Sequence, residues 1–141
     1  MNTWARSGIK DLLVETYDRH GWAIPAPVID YQTTVLTEFV NKPDWQPRPS
    51  YAEQYMTMRT AGQAQALGNV CWFTRAVFPE LGTRRGINSS YYVQLGQGCY
   101  ERVLSQTELP AVKVLCEHFE FLAECAYTAI RLNGEFRSMW D

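Results

Sequence analysis

The sequence predicts an all-α protein, a compact irregular bundle of about five or six helices in one domain spanning residues 1–141. Three observations lead there. Apolar residues recur at helical spacing through 67–100 and again through 112–130. Residues that start and stop helices flank those stretches. A chain of 141 residues that is 46% hydrophobic and 20% charged can bury one shared core and keep a solvated surface.

Taken in order, the first helix is expected to start at a Ser7 cap. Ile9, Leu12, Leu13, Thr16 and Tyr17 form its apolar side, Arg19 and His20 suit its end, and Gly21 stops it. Pro25 and Pro27 make the segment from Trp22 to Pro27 extended or irregular. Val28 to Val40 carries an apolar stripe that fits a helix, although Thr33, Thr34 and Thr37 lower its propensity and leave a strand as the local alternative. The run 41–50, NKPDWQPRPS, has too many prolines to propagate a helix and reads as a surface connection within the domain. Its Trp45 either packs on the domain or meets a partner.

Ser50 and Glu53 match a capping box for a helix over Tyr51 to Arg59. After a short break at Thr60–Gly62, Gln63 begins a longer helix towards Phe78, with Leu67, Val70, Cys71, Thr74 and Val77 at helical spacing. Gly68 weakens this helix but lets another approach closely. Pro79 and Gly82 to Gly86 form a turn, and Asn88 or Ser89 caps a helix carrying Tyr91, Tyr92, Leu95, Cys99, Tyr100 and Val103. One long helix then runs from Glu108–Pro110 to Ile130, Asn133-Gly134 ends it, and a tail with Phe136, Met139 and Trp140 docks.

The string ALGNVCWFTRAVFPELGTRRGINSSYYVQLGQGCY resembles a segment of small uncharacterised bacterial helical proteins. The pattern is L-G-(D/N), an aromatic-bearing helix, F-P-E, R-R-G and Y-Y-x-x-L-G-x-x-x-Y. It is carried here by Leu67, Gly68, Asn69, Phe73, Phe78, Pro79, Glu80, Arg84, Arg85, Gly86, Tyr91, Tyr92, Leu95, Gly96 and Tyr100. Asn69 stands where an acidic residue is expected more often. The resemblance implies a shared helical fold and brings no activity with it.

A formal charge of -2 gives no global electrostatic attraction to nucleic acid. No continuous apolar run long enough for a membrane span or signal core is present, which sets the expectation of a cytoplasmic protein with reduced, buried cysteines at 71, 99, 116 and 125. No nucleotide loop and no H-E-x-x-H occurs, and Cys116, His118 and Glu120, two apart on a helix, diverge, so no cofactor or metal is expected. A Cys71 or Cys99 nucleophile with His118 as base is chemically conceivable, but no catalytic signature supports it, and the chain reads as more a binding protein than an enzyme.

The remaining chemistry points to recognition. Arg84 and Arg85, with Arg75 nearby, offer guanidinium groups to an acidic protein surface, or else pair within the chain. Trp72 and Tyr91 are the candidate aromatic anchors beside them. The alternatives are a small-molecule pocket near Tyr92, Cys99 and His118, and self-association through glycine-bearing helix faces.

Overall fold

A computed structural model describes residues 6–42, 44–46, 48, 51–81, 90–131 and 136, and among these there are seven helices and no strand. They are α1 (Arg6–His20), α2 (Ala26–Val40), α3 (Ala52–Thr57), α4 (Ala61–Val77), α5 (Ser90–Leu104), α6 (Pro110–Glu117) and α7 (Phe119–Arg131). The predictions for Ser50, the turn at 82–89, Asn133-Gly134, Met139 and Trp140 fall outside the described residues. No described helix is long and apolar enough to cross a membrane.

α1 buries Ile9, Leu13, Thr16 and Tyr17 against α2 and α7. Ser7 lies inside the helix and does not cap it. Gly21 ends α1 with φ at 70°, and the Trp22 N–H reaches back to the Tyr17 carbonyl at 2.9 Å, the wrapped C-terminus that glycine permits. In α2 the threonines are accommodated by bonding backwards. The Thr33, Thr34 and Thr37 hydroxyls donate to the carbonyls of Ile29, Asp30 and Thr33, so each hydroxyl proton is satisfied within the helix, and the Thr34 oxygen also accepts from Arg6 of α1 at 2.7 Å. That removes the case for a strand.

The capping box lies one helix later than Ser50 and Glu53 suggest. Tyr51 precedes α3 without a side-chain cap, whereas the Gln63 N–H donates to the Thr60 hydroxyl at 3.0 Å and the Gln63 amide oxygen accepts from the Thr60 N–H at 3.2 Å. α4 therefore starts at Ala61. Its second half, Cys71 to Val77, is buried at every position, which makes it the central rod of the bundle. α5 and α7 pack on α4, α6 packs on α5 and α2, and α1 closes over α7.

α4 and α5 meet through glycine. A Cβ at Gly68 would lie 2.6 Å from the Tyr100 ring and 3.3 Å from the Cys99 Cβ. A Cβ at Gly96 would collide with the Phe119 ring and lie 3.1 Å from the Cys71 Cβ. Each helix thus presents a notch filled by the other side's cysteine and an aromatic ring.

That crossing also explains the extra helix. The single helix expected through 130 is broken at His118, whose φ of -122° and ψ of 35° leave the helical range. Phe119, fully buried, enters the notch at Gly96, and the Gln97 amide donates to the Cys116 carbonyl at 3.0 Å. A side chain satisfying a ladder carbonyl is a recognised cause of a helix bend. A second aromatic layer ties the connection after α2 to α4: Phe39 stacks on Phe73 at 4.2 Å, and Trp45 stands edge-on to both, at 5.1 and 5.2 Å. Trp45 is therefore half-buried packing, and Phe136 is buried as well.

Gly96→Ala is expected to destabilise the protein by about 1–3 kcal/mol, because the enclosed Phe119 ring has nowhere to retreat. Gly62→Ala, on the exposed first turn of α4 with only the Thr60 hydroxyl at 3.8 Å, should be neutral or stabilising by up to about 1 kcal/mol. Urea denaturation of both variants checks the contrast.

Candidate functional site

The predicted recognition residues separate in the structure. Trp72 is 0% exposed, so it is a core side chain and cannot anchor a partner from the surface. Its position on a helix buried on all sides is the reason. Tyr91 is half-buried, packs on Tyr92 at 5.3 Å, and its hydroxyl accepts the Tyr51 N–H at 3.0 Å, so it holds the entry to α3. Arg84 and Arg85 lie outside the described residues. Arg75 is 8% exposed and faces inward, where it meets Glu124 at 3.2 Å and Glu120 at 3.5 Å across the α4–α7 contact.

Tyr92, Cys99 and His118, the expected pocket residues, line neither of the two cavities described below. Tyr92 is buried with its hydroxyl donating to the Arg48 carbonyl at 3.3 Å, Cys99 is sealed in the α4–α5 crossing, and His118 is exposed at the α6–α7 break. The glycine faces considered for self-association, at Gly68 and Gly96, are occupied within the chain.

The thiols are poorly suited to nucleophilic chemistry. All four cysteines are free and buried. Burial pushes the Cys71 thiol far above its ordinary range, that of Cys99 up to about 12 and that of Cys125 up to about 11. A thiol nucleophile needs the opposite shift, supplied by a neighbouring cation or base. Among the described residues no three His, Cys, Asp or Glu side chains are placed to hold a metal ion.

Two cavities stand out among the described residues. The first, about 700 Å³, opens where α5 ends and α6 begins. Leu104, Leu109, Pro110 and the aliphatic part of Cys116 give it an apolar floor, and Glu101, Glu108 and Glu117 stand on its rim with Thr107 and a single base, Lys113. The Cys116 thiol is pushed up by burial first and then by the Glu101 and Glu117 carboxylates. Among the described residues none of the three rim carboxylates takes part in an ion pair.

The second cavity, about 410 Å³, lies between α3, α4 and the connection after α2. Trp45, Arg48, Tyr51, Gln54, Thr57, Met58, Gln63, Ala66, Leu67 and Val70 line it. Sequence reading missed both cavities, since each joins residues that carry no motif. The only local sign of the first is the spacing of Glu101, Glu108 and Glu117 around Leu104 and Leu109.

The thiol shifts set an expected pH dependence. Cys99 holds its proton in the folded chain up to about 12, against an ordinary 9.0. Stability from this group is full below about pH 9 and is lost as pH rises towards 12, because the unfolded chain ionises first. Chemical denaturation across that window should show a decline that is shallower in Cys99→Ala. In comparisons with protein-family models, curated proteins and solved structures, the chain matches none.

Proposed function

We propose that the chain is a protein-recognition module, and that the recess between α5 and α6 receives a basic, partly apolar segment of another protein. One observation carries this reading: an apolar floor ringed by three carboxylates, none of them ion-paired among the described residues, with Lys113 as the one base in the lining. An apolar centre with a polar rim is the usual anatomy of a recognition surface. The floor supplies the favourable burial, and the carboxylates select the sign of the partner and speed its approach.

The sign differs from that suggested by Arg84 and Arg85, which favour an acidic partner. The recess supports a basic one: three acidic groups face one Lys113, and Glu101 and Glu117 already bear on the buried Cys116. Lysine and arginine stems suit such a place, since their aliphatic carbons lie on apolar surface while the charge reaches the rim. The buried thiols and the exposed His118 ring give catalysis no comparable support.

A short Lys/Leu peptide should bind the full chain, and a Glu/Leu peptide of the same length should not. Reversing the rim with Glu108→Lys and Glu117→Lys is expected to weaken the Lys/Leu peptide by at least about tenfold, or 1.4 kcal/mol. Asp18→Lys, exposed on α1, should have little effect. Binding measured by calorimetry at low and high salt decides it. Equal affinity for both peptides, or indifference to the rim reversal, rules the reading out.

A further inference from the structure

We infer that the cavity between α3 and α4 is a second, separate site, built for a small amphipathic carboxylate. Its walls are apolar and partly aromatic, from Trp45, Met58, Leu67 and Val70. Among the described residues lining it, Arg48 is the one charged side chain. The Arg48 guanidinium forms no ion pair and no hydrogen bond with any described residue. About 410 Å³ falls in the range of small-molecule sites, which combine mostly apolar walls with a few placed polar groups.

The charged group is held by its backbone. The Arg48 N–H donates to the Tyr51 hydroxyl at 3.0 Å, and its carbonyl accepts from the Tyr92 hydroxyl at 3.3 Å. Three residues away, Trp45 is wedged edge-on against Phe39 and Phe73. An arginine on a pinned backbone beside an aromatic wall meets a ligand with a charged end and an apolar body. The fork of guanidinium donors matches a carboxylate in two-point fashion. The lining has one cation, which balances the single charge of a carboxylate and falls short of a phosphate dianion.

α3 supplies a cover. None of its six residues is buried, and it contributes Gln54 and Thr57 to the lining. Its two ends are fixed, by buried Tyr51 before it and buried Met58 after it. Thr57 already donates to the Glu53 carbonyl at 2.9 Å, and the Gln63 oxygen is committed to the cap of α4. The Gln54 amide has no such commitment among the described residues, and it stands as the second polar group for the ligand. Tyr55, half-buried on the core beside Gly98, anchors the helix on its α5 side, so Gln54 and Thr57 edge the cavity from a held position.

The test uses the full chain with hydrocinnamate, its neutral amide and phenylpropylamine, followed by calorimetry and by the indole N–H resonance of Trp45. The expected result is saturable binding of the carboxylate, with the amide at least tenfold weaker and the amine not bound. Arg48→Gln, at an exposed position, should bring carboxylate affinity down to that of the amide, and Ala66→Phe should abolish binding of both by filling the cavity. Glu108→Lys with Glu117→Lys should leave carboxylate binding unchanged, which separates this site from the peptide recess. No saturation by hydrocinnamate, equal binding of acid and amide, or an Arg48→Gln variant that binds as well as the original chain would overturn the inference.

Discussion

The closeness of α4 to α5 is the constraint on which the rest of the bundle depends. Two helices approach this tightly only where side chains are missing, and Gly68 and Gly96 provide the two gaps. The gaps are filled at once, by Tyr100 and Cys99 on one side and by Phe119 and Cys71 on the other. Phe119 reaches its place because the chain bends at His118, and the Cys116 carbonyl released by that bend is met by Gln97 on α5. A packing demand in one helix pair thus sets the shape of a third helix.

Polar groups inside the bundle fix its register. The Asn69 side-chain amide oxygen accepts from the Tyr31 hydroxyl at 2.7 Å and from the Tyr100 hydroxyl at 2.8 Å, tying α2, α4 and α5 at one point. Tyr17 donates to Gln32 at 3.0 Å, and Gln32 donates to the Leu122 carbonyl at 3.4 Å, which ties α1, α2 and α7. Apolar faces could slide past one another by a turn at modest cost, whereas these donors would then be buried without acceptors, at about 1–3 kcal/mol each. Arg75 works similarly between α4 and α7, with its charge balanced by two carboxylates that remain largely in water.

Helical periodicity made most of the fold legible. The stripes on α1, α5 and α7 are the ones the residue spacing indicates, and Gly21 ends α1 as its sequence context suggests. The break at His118 was not legible, because the apolar pattern runs unbroken across it and the cause sits on α5. Trp72 was misplaced for a related reason. Periodicity distinguishes an inner from an outer face only when a helix has an outer face, and Cys71 to Val77 has none. The T-x-x-Q of the α4 capping box was visible, but Ala61-Gly62 within it resembled a break. The two cavities depend on tertiary placement, joining Trp45 and Val70 in one and Leu104 and Cys116 in the other, and beyond the spacing of Glu101, Glu108 and Glu117 no local pattern announces them.

α3 differs from its neighbours in having both ends buried and nothing buried between them. Amide hydrogens in such an element exchange with solvent through local opening, at a free energy well below that of unfolding the bundle. Of the two described methionines, Met56, 83% exposed at its centre, would meet an oxidant before Met58, and its conversion to the sulfoxide would cost the core nothing. The same helix therefore lets the chain breathe beside a cavity while α4 and α5 stay locked.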